Sequence, residues 1–204
     1  MIILSIDVGI KNLAYCVIKL NNNSEYNSEH NSEHNSIEIL DWNIVNLCEV
    51  LNLCEPAIVN KNIKKDSLLN IGINLKNHFD NNSTIQNVDL ILIENQIGPI
   101  ANKMKTIQGM ISQYFICKNK YNIELISAIN KLKPFINEEN KEKNKDYQKR
   151  KKFGIEIMTN LINNNDNFLM WKDYFLTNKK KDDLSDCFLQ CYSYLIQNNK
   201  ITNN

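Results

Sequence analysis

Residues 2–20 read IILSIDVGIKNLAYCVIKL, two apolar runs (2–6 and 13–20) on either side of a link that holds Asp7, Gly9, Lys11 and Asn12. The first run is short and rich in β-branched residues, with Ser5 its one polar member, and predicts a strand buried on both faces that ends at Asp7. The second run predicts its hairpin partner. A third strand over 37–42 completes an antiparallel meander. The link to it, residues 23–36, repeats a four-residue unit of NSE followed by Tyr or His. Such a polar, low-complexity tract predicts a disordered loop insertion over about 21–36. His30 and His34 are four apart within it, but a repeat with no apolar face gives no helix to aim them at one metal.

Further along, Ile63, Leu68, Ile71 and Leu75 recur at helical spacing, so a helix is expected over 61–79, followed by a polar turn over 80–87. Residues 88–93 form the second strongly apolar strand, ended by Glu94. Pro99 stands where a first-turn proline would open a helix reaching about residue 118, and 121–126 predict another strand. Strand, helix and strand with short links make a parallel, right-handed crossover unit. The last helix is expected from about Asp182. Its apolar positions Leu184, Cys187, Phe188, Cys191, Tyr192 and Leu195 follow three-four spacing and leave Asp183 and Asp186 together at one edge of that face.

With 204 residues, the chain can build one core and its decorations but not two lobes, so a single domain over 1–204 is expected. No apolar run is long enough to span a membrane, and an intracellular location follows. Six cysteines lie in apolar contexts with no two-residue-spaced pair, which argues against a zinc or redox motif. Gly72, Gly98, Gly109 and Gly154 are isolated. That argues against the glycine-rich phosphate loops of two-lobed sugar kinases and ATPases, and no small-molecule cofactor is expected. Lys and Arg (24) nearly balance Asp and Glu (23), which argues against a polyanion binder that is basic all over. A local basic face is not excluded, because 141–152 carry seven basic against two acidic residues.

The acids are the informative feature. If the first and fourth strands are parallel neighbours, Asp7 and Glu94 converge at the carboxyl edge of the sheet. Carboxylates gathered there with Asp183 and Asp186 repel one another unless a cation joins them, and hard oxygen donors select Mg²⁺ or Mn²⁺. Two such ions suit hydrolysis of a phosphodiester. Each acid also has a plain structural role to weigh. Asp7 before Gly9 suits a turn, and Asp182 suits the cap of the last helix, the role assigned to it.

Three blocks, SIDVGIKNLAYCV (5–17), LILIENQ (90–96) and KKKDDLSDCFLQ (179–190), resemble the Holliday junction resolvases of the RuvC-like, RNase H-like superfamily. The likeness is to the branch of poxvirus, large-DNA-virus and fungal mitochondrial enzymes. It implies an α/β, RNase H-like fold with a five-stranded mixed sheet, an antiparallel three-strand meander followed by parallel strands, flanked by helices. It also implies that Asp7, Glu94, Asp183 and Asp186 are metal-binding catalytic acids served by Mg²⁺, with Mn²⁺ able to substitute and two ions per site. In ELISAINKLKP (124–134) it implies a basic catalytic residue, assigned to Lys131 with Lys133 as the alternative.

The implied activity is a structure-selective endonuclease that resolves four-way DNA junctions, leaving 5′-phosphate ends. It would act as a homodimer in a host cytoplasm if viral or a mitochondrion if organellar. Lys11, Lys149, Arg150, Lys151, Lys152, Lys179, Lys180 and Lys181 are expected to grip DNA phosphates. The crossover helix, through Ile107, Met110, Ile111, Tyr114 and Phe115, is expected to supply part of the dimer interface, the alternative being that most of these side chains simply cover the sheet. The alternatives are a ribonuclease acting on RNA-DNA hybrids and a non-catalytic DNA-binding relative.

Overall fold

Asp7 closes strand β1 (Ile2–Asp7), which pairs antiparallel with β2 (Leu13–Asn21) and parallel with β4 (Leu90–Glu94). In the computed structural model of the chain, which describes residues 1–21, 35–49, 64, 67–97, 102–144 and 146–202, β3 (Ser36–Val45) extends the meander and β5 (Ile123–Ile126) lies parallel to β4. The sheet order is β3-β2-β1-β4-β5, the five-stranded mixed sheet expected.

Helices cover both faces. α1 (Leu68–Asp80), α2 (Ser83–Gln86) and α3 (Asn102–Cys117) lie along the chain around β4, and α4 (Tyr147–Asn164), α5 (Lys172–Thr177) and α6 (Lys181–Gln197) follow β5. Alternation along the strands assigns the cores. Leu4, Ile6, Ile91 and Ile93 pack with Ile71, Leu75, Phe79, Ile107, Ile111 and Phe115 of α1 and α3. Ile3, Leu90 and Leu92 pack on the other face with Phe153, Ile157, Leu184, Phe188 and Leu195 of α4 and α6. Because side chains alternate with period two, Asp7 shares the face of Ile3, and Glu94 that of Leu90 and Leu92. Both acids therefore point to the α6 layer.

Several expected boundaries move. β3 runs to Val45, α1 begins at Leu68 behind an Ser67 cap, and the polar stretch after it folds a short α2 capped by Asn82. α3 begins at Asn102. Ile63, Pro99, His30, His34, Cys54 and most of the NSE repeat lie outside the described residues. Ile107, Ile111 and Phe115 are buried against the sheet, so of the expected interface residues only Met110 and Tyr114 reach the outer groove between α1 and α3. Asp182 is not a cap: α6 starts at Lys181 with Lys180 in the cap position, and Asp182 sits inside the first turn, ion-paired to Lys151. Of the described cysteines Cys16, Cys187 and Cys191 are buried, as their apolar contexts suggest, while Cys117 is exposed.

Candidate active site

The register of β1 against β4 pairs Ile6 with Ile93, so the next residues, Asp7 and Glu94, emerge side by side at the carboxyl edge of two parallel strands. The chain must turn sharply after Asp7 to return as β2. A Cβ on Gly9 would stand 2.2 Å from the Asn12 carbonyl oxygen, which is backbone and has nowhere to go. Gly9→Ala is therefore expected to lower stability by about 2 kcal/mol or more, read from the urea midpoint, and a loss below about 0.5 kcal/mol would contradict this packing.

α6 brings the other two acids. Its buried face (Leu184, Cys187, Phe188, Cys191 and Leu195) fixes its rotation, and three side chains fix its height. The Trp42 indole N–H donates to Leu184 O at 3.1 Å. The buried Gln190 amide donates to Ser5 Oγ at 3.0 Å and to Ile6 O and Leu92 O at 3.3 Å each, bolting the helix to the ends of β1 and β4. Ser193 Oγ donates to Lys131 O, tying in the 3₁₀ segment Ala128–Phe135 that follows β5.

One cleft of about 720 Å³ is lined by Asp7, Glu94, Lys131, Asp183 and Asp186, and also by Lys11, Arg150 and Lys151. Lys149, Lys152, Lys179, Lys180 and Lys181 lie outside its lining. With the Asn12 amide turned to satisfy both its ends, its oxygen accepts from Lys180 Nζ at 3.2 Å, which brings that lysine to the rim. Lys133 is exposed and does not line the cleft, whereas Lys131 is largely buried there.

Lys131 Nζ lies 2.8 Å from Asp186 Oδ2 and 3.4 Å from Glu94 Oε1. Burial alone would favour neutral lysine, yet Asp186, Asp7 and Glu94 together hold its pKa above the ordinary value, so it stays an ammonium. Burial pushes the Asp7 carboxyl well up, with the charge of Glu94 adding to the effect. Burial opposes ionisation of Glu94 too, but the hydrogen bond with Asp7 and the nearby Lys131 keep its pKa below the usual value. Burial and the closeness of the two carboxyls thus favour a proton shared by the Asp7–Glu94 pair. Burial also raises Asp186 despite Lys131, and raises Asp183, where the charge of Asp182 contributes. Lys131 thus offsets part of the negative charge that the four acids gather in the cleft.

Among the described residues no three carboxylate, thiol or imidazole groups stand close enough to hold one ion as they are arranged. The donor chemistry nevertheless fits a hard dication. All four acids offer oxygen, and the ammonium between Glu94 and Asp186 occupies a space already stabilised for positive charge.

Sequence reading missed three amides. Gln96 Nε2 donates to Glu94 Oε2 at 2.9 Å, and Gln108 Oε1 accepts from the Gln96 backbone N–H at 2.7 Å. The third is Gln190. The only signal for Gln108 and Gln190 was a polar residue on an apolar helix face. Tyr147, beneath the Lys151 ammonium at 5.1 Å, also lines the cleft.

These features define an RNase H-like fold, with acids from two parallel strand ends and a terminal helix meeting in one cleft. More narrowly, it is a fold shared with solved poxvirus and yeast mitochondrial Holliday junction resolvases. A family model described as "Mitochondrial resolvase Ydc2 / RNA splicing MRS1" matches residues 3–97. The fowlpox virus resolvase, solved with substrate Holliday junction DNA, superposes with a TM-score of 0.59 at 20% identity, covering 97% of this chain and 98% of that one. The yeast mitochondrial Holliday junction resolvase Ydc2 superposes with a TM-score of 0.57 at 19% identity, covering 95% of this chain and 78% of that one. An uncharacterised protein of Acanthamoeba polyphaga mimivirus is 32% identical over 138 residues, 59% of this chain. The chain thus spans 31% of the length of that curated relative.

Proposed function

We propose that the chain is a structure-selective, Mg²⁺-dependent endonuclease that cuts four-way DNA junctions. The observation that carries this reading is the cleft lined by Asp7, Glu94, Asp183 and Asp186, with the Lys131 ammonium between Glu94 and Asp186 and with Lys11, Arg150 and Lys151 on its walls. A site made only to bind DNA would gain nothing from buried acids beside phosphates. Asp7, Glu94, Asp183 and Asp186 would hold the dication. When bound, Mg²⁺ (or Mn²⁺) supplies Lewis-acid neutralisation of phosphate charge and activation of the attacking water.

The chain's own groups do the rest. The acids beside Lys131 favour its ammonium form, and in that form it offers positive charge to the phosphate and to the departing oxygen. Arg150, Lys151 and Lys11 hold the flanking backbone without reading bases. Lys149, Lys152 and Lys179 to Lys181 extend that grip beyond the cleft. A junction has approximate two-fold symmetry, which a two-fold dimer would match. The apolar groove between α1 and α3, with Leu69, Met110 and Tyr114 among its lining, is the surface we assign to that contact.

The test is a labelled four-way junction beside a matched linear duplex and an RNA-DNA hybrid, each with Mg²⁺ or chelator. Paired nicks on opposing strands of the junction alone, lost with chelator, are expected. Lys131→Met is expected to slow cutting by about 10²-fold or more with junction affinity changed little. Cleavage of the hybrid in preference to the junction would transfer the assignment to a ribonuclease, and no cutting by the folded chain would leave a DNA-binding protein.

A further inference from the structure

Gln108 is a buried amide on the face of α3 that otherwise packs Ile107, Ile111 and Phe115 against the sheet. Such a group is stable there only with a hydrogen-bond partner. Its partner is not in the helix. Gln108 Oε1 accepts from the backbone N–H of Gln96, two residues past the end of β4, at 2.7 Å. That bond fixes the chain from which the Gln96 side chain returns, and Gln96 Nε2 donates to Glu94 Oε2 at 2.9 Å. The other oxygen, Oε1, faces Lys131. Besides its hydrogen bond with Asp7, each oxygen of Glu94 therefore has a donor, one of them a neutral amide anchored to a helix in the opposite core.

We infer that Gln96, anchored by Gln108, is a positioning residue that fixes the plane of the Glu94 carboxylate and thereby sets the affinity of the site for its divalent cation. The inference rests on the nuclease reading of Glu94. Physically, an unrestrained carboxylate must be ordered as the ion arrives, and a lysine competing for one oxygen can pull it aside. The amide on the other oxygen removes that freedom in advance. Groups that orient a metal's ligands in this way typically change affinity by 10–100-fold when removed. Gln96 itself touches neither scissile phosphate nor ion in this scheme, so its loss should act through the cation requirement and not through DNA binding.

The experiment compares the full-length wild type with Gln96→Ala and Gln108→Leu in two measurements. In junction cleavage, Gln96→Ala should raise the half-saturating Mg²⁺ concentration about 10-fold, with most of the rate recovered at saturating Mg²⁺. Gln108→Leu should move it in the same direction. Junction affinity in chelator should stay within about two-fold of wild type, a result that loss of folding would not give. The second measurement needs no cleavage: the rise in melting temperature on adding Mg²⁺ without DNA should shrink in both variants.

Unchanged Mg²⁺ dependence in both measurements overturns the inference, as does a fall in rate that saturating Mg²⁺ does not restore. If the wild type leaves every branched substrate intact, the nuclease reading falls, and the melting measurement still decides. A Mg²⁺ shift lost in Gln96→Ala supports the positioning role; an equal shift in the variant, or none in the wild type, overturns it.

Discussion

Asp7→Asn will bind a four-way junction and fail to cut it. The cleavage rate should fall by about 10³-fold or more, equivalent to about 4 kcal/mol of lost transition-state stabilisation. The substitution is close to isosteric with the protonated form that burial favours at this position. Burial and the neighbouring Glu94 raise the Asp7 pKa in the folded chain. A group shifted upward contributes stability below its unfolded value near 3.9, and that contribution is lost as pH rises towards the folded value. Above about pH 4 the native Asp7 is therefore a cost to folding in the absence of metal, and Asn removes it. The variant should melt at or above the wild-type temperature at neutral pH in chelator. Retained cleavage would remove Asp7 from the catalytic group, and a lower melting temperature would contradict the buried-proton assignment.

Trp42→Ala should lower stability by about 3–5 kcal/mol, the range for truncating a fully buried aromatic. Trp42 is 1% exposed and stacks on Phe175 with ring centroids 5.4 Å apart. It also meets Phe188, Trp171 and Tyr174, so one ring joins β3 to α5, α6 and the 3₁₀ segment Asp166–Trp171. Its indole N–H serves Leu184 O, the residue between Asp183 and Ser185. Trp42→Phe keeps most of the ring and removes one donor to that carbonyl, which keeps the Cys187 thiol as another, so it should cost less, about 1 kcal/mol. Urea unfolding of both variants separates ring packing from the hydrogen bond. A loss below about 1 kcal/mol for Trp42→Ala would mean that this aromatic cluster does not hold α6 in place.

What could be read from the chain alone follows from what periodicity encodes. Strands β1 and β4 were legible because continuous apolar runs stop at an acid, and their parallel pairing then puts Asp7 beside Glu94 without further information. Asp183 and Asp186 were legible because α6 keeps strict three-four spacing around them. Lys131 came from resemblance, and only coordinates separate it from Lys133, since 3₁₀ geometry turns these two lysines to different sides. Phe168, Trp171 and Phe175 escaped notice as core residues because short 3₁₀ and α segments leave no repeating pattern. Asp182 was misread as a cap because helix ends are defined by backbone geometry, and Lys180 and Lys181 carry no signal for it. The Gln190 amide acts across chain separations that no local pattern records, and Gln96 and Gln108 meet only because the chain after β4 turns back against α3.

The meander has its open end far from the chemistry. Asn21 pairs with Ser36, and Leu20 N–H bonds Met1 O, so the connection across residues 22–34 leaves from the amino-terminal end of β1. Asp7 is five residue steps away, about 17 Å along the strand. Doubling the length of a closed loop adds only about 0.6 kcal/mol of entropy cost. Slippage of a repeated tract at this place is nearly invisible to selection on catalysis, so evolutionary drift in its length and composition can accumulate where it does the least harm.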